Sequence, residues 1–239
     1  MINDISKPLV FLGSNSNIYK IYELCTSVGY NVVGIIDDDY HRHGKFKELN
    51  VIASEQELID NKDNLQEKYQ YICVTNWYTN DDTVCNYDII SRNREKRNKL
   101  IDLLDNLKLE IATVISPLAK VSKYSNIGKG IFVDDFAIIE PSVTIADHNS
   151  IYAFSYIGHD SIINRNCVIQ RYCFITSTVT IENNVYMGLC SRILRSKAII
   201  SQGTFIHPGL TLLRSTSVNE EISLVGKDLR KVYQNVEIE

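Results

Sequence analysis

The sequence predicts a two-part fold, in which a small α/β domain with a parallel sheet precedes a triangular prism of short β-strands. Three observations predict it: apolar residues recur every six positions through the second half of the chain, small or β-branched residues follow them at a fixed distance, and strand and helix patterns alternate through the first half. A period of six fits neither an α-helix nor a single alternating strand. It fits a solenoid in which each hexad supplies one strand and one corner, and three hexads complete a coil.

The apolar repeat occupies sixteen successive hexads, and we expect no insertion in it before Thr211. Four residues after the apolar position the side chain is small or β-branched in fourteen hexads, the exceptions being Asn149 and Lys197. Small side chains let the chain turn a corner, so the pattern predicts a prism filled by an isoleucine ladder, with an irregular corner near Lys197. The ladder positions are Ile115, Val121, Ile127, Val133, Ile139, Ile145, Ile151, Ile157, Ile163, Ile169, Ile175, Ile181, Met187, Ile193, Ile199 and Phe205.

Strand and helix patterns alternate before the repeat begins. Strands are expected at 9–13, 32–36, 49–53 and 71–75, helices at 18–29, 55–60 and 93–107, and a segment at 111–115 leads into the prism. Such alternation predicts a small doubly wound parallel sheet. We therefore expect three regions, namely a sheet domain at 1–114, the prism at 115–213 and a tail at 214–239.

The composition and charge of the chain indicate which classes of binding partner and which cellular compartment to expect. The formal net charge is −4 and charges of both signs are scattered along the chain, so neither nucleic acid nor an anionic membrane is indicated as a partner. No apolar stretch approaches the ~20 residues that a membrane span needs, and the polar start of the chain does not resemble a signal peptide. The six cysteines form no CxxC motif, which predicts free core thiols in a reducing, cytoplasmic compartment.

Polar residues stand at the carboxyl ends of three predicted strands of the sheet domain, where ligands bind in doubly wound sheets. A glycine-led loop that opens a helix can place backbone N–H groups against a phosphate, and an acid after the second strand suits a base or a ribose. Ordinary turn chemistry is the alternative, and the dinucleotide motif GxGxxG is absent. The residues are Gly13, Ser14 and Asn15, then Asp37 and Asp38, then Thr75 and Asn76.

Three of the five histidines lie on the repeats, at His148, His159 and His207. Their spacings of 11 and 48 residues are not multiples of 18, so we expect them on different corners and expect no metal site. Residues 18 apart stack about 4.8 Å apart on one edge, which places Ser177 above His159 and Arg195 above Ser177. On the next edge the same spacing stacks Ala153, Arg171, Leu189 and His207. An incidental corner histidine is the alternative to a functional His159.

A basic stretch lies toward the end of the repeats. No Asp or Glu occurs between positions 183 and 219, whereas four cations do, at Arg192, Arg195, Lys197 and Arg214. Phosphate groups bind where cations are available, so this stretch is a candidate site for the phosphates of a coenzyme. A solvated basic face is the alternative.

Four short motifs, taken with the repeats, resemble one family over nearly the whole chain. The motifs are Phe11-Leu12-Gly13-Ser14, Ile35-Ile36-Asp37-Asp38, Val74-Thr75-Asn76 and Ile157-Gly158-His159-Asp160. They resemble the hexapeptide-repeat acyltransferases, whose prism is a left-handed parallel β-helix, and within them the bacterial aminosugar N-acetyltransferases of glycan and sialic-acid pathways. The resemblance implies a small nucleotide-sugar-binding domain ahead of the prism, a homotrimer with active sites between subunits, and acetyl-CoA as co-substrate without a metal.

The resemblance also implies a role for each matching residue. It makes His159 the catalytic base and Asp160 its carboxylate partner. It implies thioester-side contacts with acetyl-CoA from Ser177, Gly188, Leu189 and His207, to which the basic stretch adds Arg195 and Arg214. The nucleotide-linked aminosugar is expected at Gly13, Ser14, Asn15, Asp37, Asp38, Thr75, Asn76 and Arg97.

The chain departs from the family pattern at three places. The family's first loop usually contains Gly-His-Gly, where this chain has Ser16-Asn17-Ile18, and the family usually has glycine where Ser177 and His207 stand. Residues 77–92, which include the one tryptophan, form an insertion that we interpret as a surface loop rather than as a cover for the nucleotide. After the prism, the segment at 224–227 resembles the family's short tail.

These inferences predict an acyl-CoA-dependent N-acyltransferase, with acetyl as the expected acyl group, acting on the amino group of a nucleotide-linked deoxyaminosugar. Histidine is the side chain suited to accept the proton of an attacking amine near neutral pH. Two alternatives stay open at this point: acetylation of a sugar hydroxyl, as on a sialic acid, and a trimer without catalytic activity whose sheet domain senses a nucleotide sugar. The sequence also leaves open the nucleotide (UDP, dTDP or GDP), the sugar and the acyl chain length.

Overall fold

The computed structural model describes residues 5–14, 18–39, 44–75 and 87–223, with side chains from residue 93 onward in the last range. Asn15, Asn76, residues 77–86 of the insertion and the segment at 224–227 lie outside the described residues. The elements of the sheet domain are β1 (Leu9–Leu12), α1 (Ile18–Ser27), β2 (Val32–Ile36), β3 (Lys45–Phe46), β4 (Leu49–Ala53), α2 (Glu55–Asp60), α3 (Lys62–Lys68), β5 (Gln70–Cys73) and α4 (Tyr87–Asn106). Across these ranges, every helix is too short or too polar to cross a membrane.

The sheet of the first domain has the strand order β3-β4-β2-β1-β5. Strands β4, β2, β1 and β5 run parallel, whereas β3 pairs antiparallel with β4. The predicted parallel sheet is confirmed for these four strands, and β3 adds an antiparallel edge through a turn in which Lys47 adopts the left-handed conformation (φ 54°). Strands β2, β1 and β5 are neighbours, so the three polar turns that follow them lie at one edge of the sheet.

Two helices differ from the prediction. The polar segment of α3 contains a single apolar residue, Leu65, which gives a periodicity analysis nothing to detect. Helix α4 begins at Tyr87, so residues 87–92 of the insertion are helical and their interpretation as loop is wrong. Helix α2 begins as predicted because of a capping box: the Ser54 side chain accepts from the Glu57 N–H, and the Glu57 carboxylate accepts from the Ser54 N–H.

The second part of the chain is a prism of two-residue strands in three sheets, one on each face. The first face contains seven strands, β6 (Val114–Ile115), β9 (Phe132–Val133), β12 (Ser150–Ile151), β15 (Val168–Ile169), β18 (Tyr186–Met187), β21 (Phe205–Ile206) and β23 (Glu221–Ile222). The second face contains six, β7 (Lys120–Val121), β10 (Ile138–Ile139), β13 (Tyr156–Ile157), β16 (Phe174–Ile175), β19 (Arg192–Ile193) and β22 (Thr211–Leu212). The third face contains five, β8 (Asn126–Ile127), β11 (Thr144–Ile145), β14 (Ile162–Ile163), β17 (Thr180–Ile181) and β20 (Ile199–Ile200).

The interior and the corners follow the hexad rule. The ladder side chains from Val133 to Ile193 are buried and form one core cluster. From Phe136 to Cys190, every sixth residue turns a corner in the left-handed conformation, with φ between 56° and 62°. Asn149, the first exception to the small-residue rule, is buried with its amide satisfied: Nδ2 donates to Ala146 O (2.6 Å), and Oδ1 accepts from Cys167 N (2.6 Å). The predicted prism is confirmed.

The prediction of an uninterrupted six-residue repeat is wrong beyond Ile193. Ile200 is 0% exposed and continues the ladder, whereas Ile199 is 47% exposed and faces out. One extra residue lies in the corner before them, where Lys197 takes the left-handed position (φ 58°) and Ala198 takes the buried small position. The irregular corner expected near Lys197 is thus present, and it moves every later ladder position by one residue, to Ile206 and Leu212.

The sheet domain covers the first face of the prism. The outward side chains of that face, Phe132, Tyr152, Val168, Tyr186 and Phe205, share one apolar cluster with β1, β2 and α1. A cross-domain ion pair supplements this cluster, because Lys20 Nζ lies 2.5 Å from Oδ2 of the fully buried Asp134. The second and third faces are not covered by the described part of the sheet domain, and they carry the corner with His159.

Candidate active site

His159 and Asp160 form the corner between the second and third faces. His159 Nδ1 lies 2.7 Å from Asp160 Oδ2, and the two side chains are 53% and 56% exposed. An ionised carboxylate only accepts hydrogen bonds, so in the neutral imidazole the tautomer that donates from Nδ1 to Asp160 leaves the lone pair on Nε2. Asp160 adopts the left-handed conformation (φ 56°), and this turn brings its side chain back onto the ring of the preceding residue. The corner therefore presents an imidazole nitrogen that can accept a proton.

The predicted stack above His159 is present. Strands β13, β16 and β19 pair in register through Ile157, Ile175 and Ile193, which places Ser177 and then Arg195 above His159. The Thr178 N–H donates to His159 O (2.9 Å) and ties the two coils together at this corner. Arg195 is exposed. One edge thus carries an imidazole, a hydroxyl and a guanidinium in successive coils.

His207 does not stack on Leu189 as the spacing of 18 predicts. The extra residue in the irregular corner makes the spacing 19, so β18 and β21 pair Met187 with Ile206 and His207 lies level with Gly188. A Cβ added to Gly188 would lie 2.6 Å from Pro208 N, so only glycine allows the two coils to approach here. His207 is buried, with Nε2 2.6 Å from Glu221 Oε1, whereas its buried Nδ1 has no hydrogen-bond partner among the described residues.

Three of the expected acetyl-CoA contacts, Gly188, Leu189 and His207, lie on a different edge of the chain from the expected base, whereas Ser177 and Arg195 share its edge. Gly188 and Leu189 follow β18 of the first face, so they stand at the edge between the first and second faces. His159 follows β13 of the second face and stands at the edge between the second and third faces. One chain by itself does not bring these two groups together.

The cations of the basic stretch differ in their surroundings. Arg192, Arg195 and Lys197 are exposed. Arg214 pairs with Glu220 through both of its terminal nitrogens, and the pKa of this guanidinium is raised by that carboxylate. Glu220 thus neutralises one of the four charges, and Arg195, on the same edge as His159, is the cation placed nearest the candidate base in the stack.

The candidate ligand-binding crevice of the sheet domain consists of the polar turns after β2, β1 and β5, and its first residue is Gly13. Its φ is +80°, and a Cβ there would lie 2.0 Å from Thr75 Oγ1 and 2.7 Å from Leu100 Cδ1. Gly13 is therefore required by the fold, because no other residue combines this backbone conformation with this close approach. Its N–H donates to Ile36 O (2.8 Å), which fixes the start of the loop; Ser14, partly exposed, follows.

The two predicted acids of the crevice are not equivalent. Asp37 is fully buried, accepts from the Asp39 N–H (2.9 Å) and lies 3.1 Å from Lys96 Nζ. Burial opposes the charge on Lys96, but Asp39 and Asp37 outweigh it and raise the pKa of this lysine. Asp38 is exposed, and its Oδ1 accepts from the Glu55 N–H (2.7 Å) at the start of α2. Asp38 is thus the acid with a carboxylate oxygen open to a ligand.

Arg97 has a different position from the one expected of a substrate contact. It is 2% exposed and crosses from α4 to the prism. Nη1 donates to Thr75 O (2.7 Å), Nη2 to His148 O (2.7 Å), and Nε to Asn166 Oδ1 (2.8 Å). These bonds use all three nitrogens of the guanidinium, so Arg97 joins the crevice to the prism and does not face a ligand. The assignment of Arg97 to substrate binding is corrected accordingly.

Two residues that lie beside the candidate sites are not predicted from the sequence. Lys96 reaches both Asp37 and Asp39 from the residue next to Arg97. Glu140 Oε2 accepts from the backbone N–H of His159 (3.1 Å). Glu140 lies 19 residues before His159, so the stacking rule of 18 residues does not place the two side by side. The signal in the sequence is an acid one residue away from that spacing.

Comparisons with known proteins show which solved structures share this fold. No family model matches the chain, and no curated protein matches it. Among solved structures, WeeI from Acinetobacter baumannii AYE has a TM-score of 0.72 at 16% identity, over 90% of this chain and 96% of that one. PerB from Caulobacter crescentus, in complex with CoA and GDP-perosamine, has a TM-score of 0.58 at 15% identity, over 92% and 94%. The acetyltransferase domain of PglB from Neisseria gonorrhoeae FA1090 has a TM-score of 0.56 at 17% identity, over 90% and 96%.

These similarities extend over both parts of the chain, and their low identities make them evidence of fold. The resemblance inferred from the motifs is confirmed at that level. The chain has the fold of the hexapeptide-repeat aminosugar acetyltransferases, with a small mixed-sheet domain ahead of a left-handed parallel β-helix.

Proposed function

We propose that the protein is an acyl-CoA-dependent N-acyltransferase that acetylates the amino group of a nucleotide-linked aminosugar, with His159 as the general base. The observation that carries this proposal is the 2.7 Å contact between His159 Nδ1 and Asp160 Oδ2 on an exposed corner. It supports an imidazole held in one tautomer with its basic nitrogen directed away from the carboxylate. The fold shared with PerB, which was solved with CoA and GDP-perosamine, supports the choice of substrates.

The chemistry follows from the free lone pair on His159 Nε2. As the substrate nitrogen bonds to the thioester carbonyl carbon, Nε2 takes the proton that the nitrogen loses. The C–S bond then breaks, and the imidazolium returns the proton to the departing thiolate. Asp160 balances the positive charge on the ring between the two transfers and holds its orientation. The backbone N–H of Ser177 donates to no residue in the described ranges, and we assign it to the negative charge that develops on the carbonyl oxygen.

Two further groups complete the proposed site. Arg195, exposed and on the His159 edge, is suited to a phosphate of CoA. In the sheet domain, Gly13, Ser14 and Asp38 stand at the carboxyl ends of adjacent strands, where a nucleotide binds in related sheets. Asp37 supports this crevice from within, through its ion pair with Lys96.

A homotrimer with sites between subunits is part of the proposal. Within one chain, Leu189 and His159 stand on different edges of the prism, so a neighbouring chain has to supply one of the two groups. An exposed aromatic column supports such packing: Phe136, Phe154 and Tyr172 stack at 5.0 Å along the edge between the first and second faces. Exposed apolar surface of this kind is typical of an interface between proteins. Light scattering at micromolar concentration should give the trimer mass, and a monomer would contradict the shared site.

The direct test is thiol release from acetyl-CoA with a panel of UDP-, dTDP- and GDP-linked aminosugars. A matched panel in which a hydroxyl replaces the amino group separates N-acylation from O-acylation. Thiol release that depends on an aminosugar is the expected result. Release only with the hydroxyl panel would assign sugar O-acetylation instead, and absence of both CoA binding and release would contradict an enzymatic role.

A further inference from the structure

Glu140 lies directly below the candidate base. It follows β10, one coil before His159, and its Oε2 accepts from the His159 backbone N–H at 3.1 Å. The Tyr156 phenol lies against the same carboxylate, and burial together with the Glu140 charge raises the pKa of that phenol. The Tyr156 ring in turn stacks on Phe174 at 4.8 Å. The Glu140 side chain is thus held between an ordered aromatic pair and the main chain of the base.

The same contact occurs once more at a corner that carries no histidine. Glu182 follows β17 just as Glu140 follows β10, and its Oε2 accepts from the Gln202 N–H at 2.8 Å. Gln202 occupies the same place in its coil as His159 does, two residues after a ladder position. The two glutamates therefore accept the same kind of backbone hydrogen bond, one from His159 and one from Gln202. Comparing their removal distinguishes the contribution of this bond to stability from its effect on His159.

The side chain of His159 needs support from its backbone. Half of its surface is exposed, and its ring is held by Asp160, the next residue along the chain. Their contact depends on the left-handed turn at Asp160 (φ 56°). The His159 carbonyl accepts from Thr178 and the Asp160 N–H donates to Pro141 O (3.2 Å), and the Glu140 carboxylate secures the one remaining backbone N–H of the corner.

We propose that Glu140 is a positioning residue for His159, which fixes the main chain of the corner so that the ring meets Asp160 with Nε2 directed at the substrate. This inference rests on the proposed function, in which His159 is the base. Glu140 acts through the backbone and does not touch the reacting atoms. Since a displacement of 1 Å in a reacting group can cost about 100-fold in rate, a small shift of this corner is enough to lower turnover.

The test compares Glu140→Ala, Glu140→Gln and the control Glu182→Ala in the full-length protein. Glu140→Ala should lower kcat by about tenfold with little change in KM, because positioning affects the chemical step more than binding. Glu140→Gln should retain most of kcat, since the amide oxygen can accept the same hydrogen bond. Glu182→Ala should leave kcat unchanged. Amide hydrogen exchange gives a readout without turnover: Glu140→Ala should speed exchange at His159, and Glu182→Ala at Gln202.

The possible outcomes distinguish a failure of the proposed function from a failure of the role assigned to Glu140. If wild-type protein transfers no acyl group, the proposed function fails and this assignment fails with it. If wild-type protein is active and Glu140→Ala retains kcat within twofold while exchange at His159 rises, Glu140 only stabilises the corner. The positioning role of Glu140 is then overturned, and the proposed function is not. Equal loss of kcat in Glu140→Ala and Glu182→Ala would also overturn it, because the effect would then be general destabilisation.

Discussion

His148 and Asp105 join helix α4 to the prism, with His148 Nε2 3.0 Å from Asp105 Oδ1. The imidazole is buried and the carboxylate is partly exposed, and Arg165 pairs with the same carboxylate at 2.5 Å. Burial lowers the pKa of His148, and the hydrogen bond that His148 donates to Asp105 offsets this only in part. The folded protein therefore keeps His148 neutral over a pH range in which the unfolded chain takes up a proton.

The first prediction concerns acid stability. Because the unfolded histidine titrates near 6.5 and the folded one lower, the unfolded state binds the proton first as the pH falls, and the free energy of unfolding decreases below about pH 6.5. His148→Gln can still donate to Asp105 without titrating. Urea unfolding at pH 7.5 and 5.5 should show a larger loss in wild-type protein than in His148→Gln. Equal losses would contradict the role of His148.

The second prediction concerns Arg97. Its removal leaves the Thr75 and His148 carbonyls without donors in a buried region, and unsatisfied buried groups cost about 1–3 kcal/mol each. Arg97→Met should therefore lower the free energy of unfolding by several kcal/mol, and Arg97→Lys by less. A stable Arg97→Met variant that has lost only nucleotide-sugar affinity would restore the original assignment of Arg97 to the substrate.

The third prediction tests the register beyond the irregular corner. Ile200 is 0% exposed and its neighbour Ile199 is 47% exposed. Ile200→Ala should destabilise the protein by about 2–5 kcal/mol, as is usual for a large-to-small change in a core, and Ile199→Ala should cost well under half of that. Thermal or urea unfolding of the matched pair measures the difference. The reverse order would mean that the ladder continues in its original register.

The fourth prediction concerns the crevice. Asp38→Asn keeps an oxygen that can accept from the Glu55 N–H, so α2 should still start normally, but the charge open to a ligand is lost. Loss of a hydrogen bond to a charged group costs about 1.5–3 kcal/mol, which corresponds to an affinity at least about tenfold weaker. Calorimetry with the nucleotide sugar that supports turnover provides the measurement, with Asp60→Ala on α2 as a surface control. Unchanged affinity in Asp38→Asn would remove this residue from the site.

The sequence predicts the prism well because a ladder of period six has few structural solutions. It fails at the corner before Ile200 because apolar doublets follow it: Ile199-Ile200 and Phe205-Ile206 satisfy the pattern in either register. In the sheet domain, the polar turns are recognisable from the chain, since the carboxyl ends of adjacent strands meet at one edge. Which polar side chain is free there depends on partners distant in sequence, such as Lys96 for Asp37, and no local pattern reveals them.

The same limit separates Arg97 from His159. Both are singled out by the family resemblance, but the burial of Arg97 depends on three partners in other elements, Thr75, His148 and Asn166. His159 and Asp160 are adjacent, so their contact depends only on the local turn, which the hexad rule places at the corner. Contacts between neighbouring residues on a regular repeat can therefore be predicted from sequence, whereas contacts between domains require the three-dimensional structure.

The most direct test of the account is the turnover of His159→Asn. The side chain is exposed and outside the ladder, so the variant should keep its thermal stability and its affinity for CoA and for the nucleotide sugar. Its kcat should fall by about 10²–10⁴-fold, the contribution expected of a positioned general base, and Asp160→Asn should lose less because the proton acceptor remains. A folded His159→Asn variant whose kcat stays within about threefold of wild type, far less than a general base contributes, would contradict the mechanism.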